Sequence, residues 1–361
     1  MYMNNSILPL SLVVFVLVVC LFLTGCYTVK QGVTYLGYLS KAIPLEKSDD
    51  EDFIRLVAEI RTFAMEELGL TNSKNYTSFV RIDRNYLASV VSASAKDSFR
   101  RYEWNYPVVG RMPYKGFFNI KDAQKERAKL EKKDLDVWIR GVDAFSSLGW
   151  FKDPLFSYMR EYSPSRLADL IIHELVHSTV FIKGQVKFNE ELAQFIGSEG
   201  ALLFMEKRYG LDSDEYNEML KSEQNSNNYV AFIQELIAEL ETLYSGDSDR
   251  EEKLIRKEQI INDAKLRFNN EYENLFSNEN YRGFNQLPIN NAYLELFRLY
   301  HTDDNFYNDL YDRTGRNLPV FIAAAKTITK KSSKGTPREQ LESSLALLTS
   351  GVQINNTALD K

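Results

Sequence analysis

The sequence predicts a mainly helical α+β fold with a small sheet and a long helical hairpin. Three observations carry that prediction. Segments at 49–68, 163–181 and 189–208 are either apolar at i, i+3, i+4 and i+7 or apolar nearly all round. From 76 to 110 the texture turns to β-branched and aromatic residues. Between 233 and 268 apolar residues keep coiled-coil-like spacing across a polar break. The chain has 361 residues, 44% hydrophobic and 26% charged, with net charge −6. It is too hydrophobic for a disordered chain and long enough for one large domain or two moderate ones. Its mild acidity leaves no electrostatic footprint for nucleic acid, which is not an expected partner.

Residues 1–25 contain no charged side chain. The apolar run 10–23 has the length of a signal-peptide h-region and is short for a membrane span. It ends in Leu23-Thr24-Gly25-Cys26, which resembles the lipobox of bacterial lipoproteins. The expectation is a lipoprotein signal peptide over 1–25 and acylation of Cys26; the alternative is an uncleaved N-terminal anchor. The n-region departs from the usual pattern in lacking Lys and Arg. Cys20 and Cys26 are the only cysteines, so after cleavage no disulfide forms within the chain and no thiol is left to ligate metal.

Beyond a polar stretch at 46–52, Phe53, Leu56, Val57, Ile60, Phe63, Ala64 and Leu68 line one helical face, with Gly69 suited to end it. Segments 76–82 and 87–92 read as a hairpin around Asp83-Arg84-Asn85. A charged surface helix follows at 121–133, and Leu135, Val137 and Ile139 alternate as a strand. Ser163 as N-cap and Pro164 at the first helical position start a helix that is apolar over most of its circumference and therefore buried. The next helix spans roughly 189–208 and ends near Gly210. A polar stretch at 212–228 precedes the helical hairpin, whose arms are joined at Ser245-Gly246-Asp247-Ser248-Asp249. A loop from Lys330 leads to one last short helix. The expected units are 26–210 as a core, 211–330 as a helical region completing the cleft, and 331–361 as a C-terminal tail.

The chemistry sits in His173-Glu174-Leu175-Val176-His177. Residues i and i+4 share a helix face, so both imidazoles reach one ion while the glutamate lies beside it. Only three histidines exist in the chain, His173, His177 and His301, and a chance match to HExxH is expected in roughly two such sequences per thousand. Imidazoles and a carboxylate buried without a partner are costly, and a divalent metal supplies that partner. A catalytic zinc site needs a third protein ligand and keeps a fourth position for water. Glu190 is the expected third ligand, 13 residues beyond His177 at the start of the next helix. Glu191, a third of a turn away, Glu199, more than two turns on, and His301 are the alternatives. Glu174 is the expected catalytic base.

These motifs recur together in one known family. The lipobox, Pro107-Val-Val-Gly-Arg-Met-Pro-Tyr-Lys-Gly-Phe-Phe118, Val142-Asp-Ala-Phe-Ser-Ser-Leu-Gly-Trp-Phe-Lys-Asp-Pro154, the HExxH pentapeptide and Phe188-Asn-Glu-Glu-Leu-Ala-Gln-Phe-Ile-Gly197 appear in order. Asn290-Asn-Ala-Tyr-Leu294 and Tyr300-His301 follow. Over roughly 26–320 the chain resembles the family of putative zinc aminopeptidases found as bacterial lipoproteins. That resemblance implies a zincin-like, gluzincin-type metallopeptidase core with one Zn²⁺ per chain, peptide as substrate, and attachment to the membrane through the lipid anchor with the catalytic domain outside the cytoplasm. Its Asn-Glu-x-x-Ala segment is similar to the third-ligand helix of thermolysin-type peptidases, which supports Glu190.

Physical arguments add candidates. The strand ahead of the HExxH helix, with 143–149, is placed to pair with a substrate backbone. Residues 111–118 have the Gly, Pro and aromatic mix of a cleft-lining loop. Tyr114 and Tyr300 are candidate donors to a developing oxyanion, and His301 is either a second donor or a surface residue. Three other functions remain open on the sequence: a catalytically silent envelope binding or assembly lipoprotein, a metal-dependent hydrolase of a non-peptide amide, and a zinc-stabilised structural lipoprotein.

Overall fold

The computed structural model describes residues 25–106, 110–143, 153–300, 305–328 and 335–349. Residues 1–24 of the expected signal peptide, 144–149 of the expected substrate strand and His301 lie outside them. The fold is mainly helical with three small sheets, as the α+β expectation has it. Among the described residues, no helix is long and apolar enough to cross a membrane.

The chain opens with α1 (Gly25–Leu39), strand β1 (Ile43–Pro44) and α2 (Glu51–Thr62). Asp50 caps α2 by accepting from the Phe53 amide at 3.0 Å, and Gly69 turns the chain with φ +72° after a π-helical turn at Phe63–Glu67. The central sheet is β3 (Ala88–Ala95) between β6 (Lys115–Phe117) and β7 (Leu135–Val142), all antiparallel. All eight residues of β3 are buried, and they are small or β-branched because both faces are covered. One face packs Val91, Ala93 and Val137 onto Ala123 and Leu130 of α3 (Ile120–Glu131). On the other, Trp138 meets Tyr293 of a later helix with ring centroids 4.6 Å apart.

The hairpin expected around Asp83-Arg84-Asn85 does not form. Strand β2 (Ser78–Val80) instead pairs antiparallel with β1 and parallel with β8 (Leu155–Phe156), in a separate sheet from β3. Two features account for this. The three linking residues lack the glycine that tight hairpin turns favour, and Ser157 Oγ occupies both the amide and the carbonyl of Ile82, at 3.0 and 2.9 Å. Arg84 reaches away to the Phe118 carbonyl at 2.6 Å and the Tyr38 hydroxyl at 2.9 Å.

Two packed helices follow, α4 (Pro164–Thr179) and α5 (Val186–Tyr209). With α2, β2, β8 and the C-terminal helices α9 (Phe306–Arg313), α10 (Leu318–Lys326) and α11 (Pro337–Thr349) they enclose the main hydrophobic core. The helical hairpin is α6 (Asp214–Ser245) and α7 (Arg250–Leu275). Its first arm is longer than the apolar spacing indicated, because the polar stretch from 214 is helical. Ser213 caps it by accepting from the Tyr216 amide at 3.1 Å, and Asp214 and Glu215 sit favourably in its first turn. The hairpin shares a second core with α8 (Asn291–Tyr300), which carries it onto the sheet.

Candidate metal centre

Helix α4 is set by its ends. Ser163 Oγ accepts from the Arg166 amide at 3.3 Å, Pro164 occupies the first turn, and the chain turns extended at Val180. Ile171, Ile172, Leu175 and Val176 are wholly buried, which fixes the rotation of the helix. His173 and His177 then point together, with ring centroids 4.9 Å apart. Asn189, itself buried, holds the reversal into α5: its side chain accepts from the Ile182 amide and donates to the Ile182 carbonyl, both at 2.9 Å. That brace delivers Glu190, the next residue, to the histidines.

Glu190 straddles the pair. Its carboxylate oxygens lie 3.8 Å from His173 Nε2 and 3.5 Å from His177 Nε2. One ligand atom from each of the three residues falls within 4.8 Å of the others. These separations are too long for hydrogen bonds, and slightly wider than the roughly 3.3 Å between ligands of a tetrahedral zinc. Burial pushes both histidines down to about 4, His177 adding to the effect at His173, so each is neutral with a lone pair to offer. The buried Nδ1 of His177 has no hydrogen-bond partner, so this ring is served only through the Nε2 that faces Glu190. Two neutral imidazoles and one carboxylate, converging but not bonded to one another, are a donor set that fits a zinc ion. Side-chain exposure rises from 7% at His177 through 18% at His173 to 48% at Glu190, so the cluster opens to solvent on the Glu190 side.

A family model described as "Putative aminopeptidase" matches residues 26–341. The chain belongs to that family. No curated protein and no solved structure shows significant similarity to it.

In this aminopeptidase-family chain the other glutamates considered for the third ligand are engaged elsewhere. Glu191 receives Arg338 at 2.9 Å and Lys187 at 3.6 Å, and Glu199 receives Arg316 at 3.2 Å. Glu174 is 7% exposed, on the same helix between the histidines. Burial first, then the charges of Asp153 and Glu190, raise its proton affinity to about 8.

Asp153 belongs to a buried network that sequence reading missed. Its Oδ1 accepts from Tyr35 Oη at 3.0 Å, its amide donates to Asn75 Oδ1 at 3.2 Å, and its carbonyl accepts from the Tyr76 amide at 2.8 Å. Asn75 in turn donates to Ser178 Oγ at 3.3 Å, on the HExxH helix itself. Tyr76 is buried at φ +60°, a conformation costly for a bulky residue and held by these contacts. Burial, and then the Glu174 and Asp153 charges, raise the Tyr76 hydroxyl well above its ordinary range. Only the single Asp153 in the quoted family motif could have signalled this; Tyr35 and Tyr76 are two among 21 tyrosines.

Tyr114 sits on the turn between β5 (Gly110–Met112), which pairs antiparallel with β4 (Trp104–Tyr106), and β6, exposed, beside residues of β3, β7 and α8. Tyr300 is the last residue of α8. Cys26 lies in the first turn of α1.

Gly197 and Gly200 let α5 lie close on α4. A Cβ at Gly197 would stand 2.8 Å from Asp169 Oδ1, 3.1 Å from His173 Cβ and 3.2 Å from the Asp169 carbonyl oxygen. Alanine in an isolated helix is favoured over glycine by about 1 kcal/mol, but forcing it into this contact costs about 1–3 kcal/mol. Gly197→Ala is therefore expected to lower stability by up to about 2 kcal/mol net, and to weaken metal binding as α5 shifts Glu190 from the histidines. Thermal unfolding and zinc titration check both; a melting temperature at or above wild type would show that the helices have room to spare.

Proposed function

We propose that this chain is a zinc-dependent peptide hydrolase with a zincin-like core, an aminopeptidase as its family name has it, anchored to the cell envelope through lipid on Cys26. The observation that carries the reading is the convergence of His173, His177 and Glu190 from two adjoining helices, with Glu174 between the histidines. His173, His177 and Glu190 would hold the ion. Zinc, when bound, supplies Lewis acidity to a water and to the scissile carbonyl. The chain's own part is proton transfer and placement. Glu174 takes a proton from the attacking water and returns it to the leaving amine. Asp153, Tyr35 and Asn75 tie the neighbouring loop to the HExxH helix at Ser178. The buried side of the cluster excludes bulk water, while the Glu190 side admits substrate.

The purified chain is expected to carry close to one zinc per molecule, with hydrolysis lost on chelation and restored by zinc. Glu190→Gln should lower zinc occupancy while the fold persists. Peptides with free, blocked and internally quenched ends then separate exopeptidase from endopeptidase action; the free amino terminus is the expected preference. A chain that takes up no zinc even on reconstitution would reduce the pentapeptide to a packed helix.

A further inference from the structure

Helix α1 is polar on its inner side and apolar on its outer side. Inward, Tyr27 donates to the Gly116 carbonyl, Gln31 Oε1 accepts from the Phe118 amide at 2.9 Å, and Tyr35 Oη donates to Asp153 at 3.0 Å. Tyr38 accepts from Arg84 at 2.9 Å, and Lys30, the one charged residue of the helix, pairs with Asp122. The outer face carries Gly32, Val33, Leu36 and Gly37 instead, with Val33 64% and Leu36 50% exposed. The hydroxyls of Thr34 and of Ser40, just past the helix, are returned to the backbone carbonyls of Lys30 and Gly37 at 2.8 and 3.0 Å. A helix facing water normally has the opposite polarity. The two glycines do not serve close approach within the protein, because a Cβ at either would meet nothing within 4 Å. In water both weaken the helix relative to almost any other residue.

What lies against this face is indicated by where the helix begins. Cys26, in its first turn, is the proposed acylation point, and residues 1–25 before it are uncharged. Acylation there holds the start of α1 at a bilayer, and since a single acyl chain anchors only marginally, further buried apolar surface adds directly to the attachment. Neighbouring α3, tied to α1 by the Lys30–Asp122 pair, exposes Lys121, Lys125, Arg127 and Lys129, and Lys41 is exposed just past the end of α1. Cations beside a charge-free apolar stripe match acidic headgroups over acyl chains. We infer that the outer face of α1 lies in the membrane interface, with Val33 and Leu36 at the acyl boundary and the basic residues among the headgroups. The inference rests on the proposed lipid anchor and requires neither zinc nor hydrolysis. Because Tyr35 leaves the inner face for Asp153, the bilayer lies one helix diameter, about 10 Å, from the network beside Glu174.

The test uses the full-length chain expressed in a host that processes lipoproteins, with mass spectrometry reading acylation of Cys26 and removal of 1–25. Leu36→Cys, or Asp247→Cys at the exposed tip of the helical hairpin, then supplies a thiol for an environment-sensitive NBD probe. On phosphatidylcholine–phosphatidylglycerol vesicles the probe at position 36 is expected to shift to the blue and to be quenched by bromine on the lipid chains, while the probe at 247 does neither. Gly32→Glu puts a charge on the outer stripe with a better helix former. It should abolish the quenching at 36 although the chain still floats with the vesicles. An acylated chain that floats while its probe at 36 stays as unquenched as that at 247 overturns the proposal and leaves the anchor standing. So does a blue shift at 36 that needs no vesicles: one that grows with protein concentration gives the face to a second copy, and one confined to chains retaining 1–25 gives it to the apolar run 10–23. A Cys26 without acyl chains overturns the anchor and this membrane seat together. Metal and peptide play no part in any of these readouts, so the hydrolase function is judged separately.

Discussion

Glu174→Gln is expected to retain zinc and lose peptide hydrolysis by about 10²–10⁴-fold, the contribution of a positioned general base. The substitution keeps the volume and shape of the side chain, which matters at a position only 7% exposed. It leaves His173, His177 and Glu190 untouched, so metal content measured on the same preparation tells loss of chemistry from loss of the site. It also leaves in place the hydrogen bonds that join Asp153 to Tyr35, Asn75 and Tyr76. A variant with normal zinc, unchanged KM and greatly reduced kcat is the expected result. Hydrolysis at the wild-type rate by zinc-loaded Glu174→Gln would remove this residue from proton transfer and return the chain to the class of binding proteins on a peptidase fold.

The largest stability effect is expected far from the histidines, at Lys257. This lysine is 2% exposed, on α7, and its ammonium is paired with Asp136 of β7 and also donates to the Lys96 carbonyl at 3.2 Å. Asp136 accepts in addition from the Asn291 amide at 3.0 Å, so one partly buried carboxylate joins the hairpin, the sheet and α8. Removing one partner of such a pair leaves the other charge uncompensated, which costs about 3–5 kcal/mol. Lys257→Ala should lower unfolding stability by that amount, read from urea denaturation. Replacing both partners, as Lys257→Met with Asp136→Asn, should recover most of the loss, because the buried charge is then gone. A loss below about 1 kcal/mol in the single variant would mean that water reaches the pair, and that the apolar contacts of Tyr229, Phe232 and Phe268 with α8 and its approach hold the hairpin alone.

What the sequence determined by itself is whatever depends on near neighbours. A 3.6-residue period puts His173, Glu174 and His177 on adjoining faces of one helix without reference to the rest of the chain. Ser163 and Pro164 start that helix through bonds spanning three residues. Asp50, Asn119 and Ser213 start others in the same way. Glu190 was legible because a short reversal between two buried helices leaves few geometries. The family could likewise be recognised from short motifs in order.

Only the tertiary structure decided what depends on residues distant in the chain. Ser157 took the backbone groups of Ile82 and broke the expected hairpin from 75 residues away. Asp153 and Tyr35 meet beside Glu174 across 118 residues, and nothing periodic marks either of them. Gly197 reads as an indifferent helix residue until α4 is laid against it. Tyr114 is marked by nothing local as a neighbour of Arg101 and Arg140, and only folding puts it beside them on the sheet. Helix faces and caps follow from local sterics and bonds a few residues long, whereas pairing, close approach and buried charge depend on which surfaces the folded core brings together.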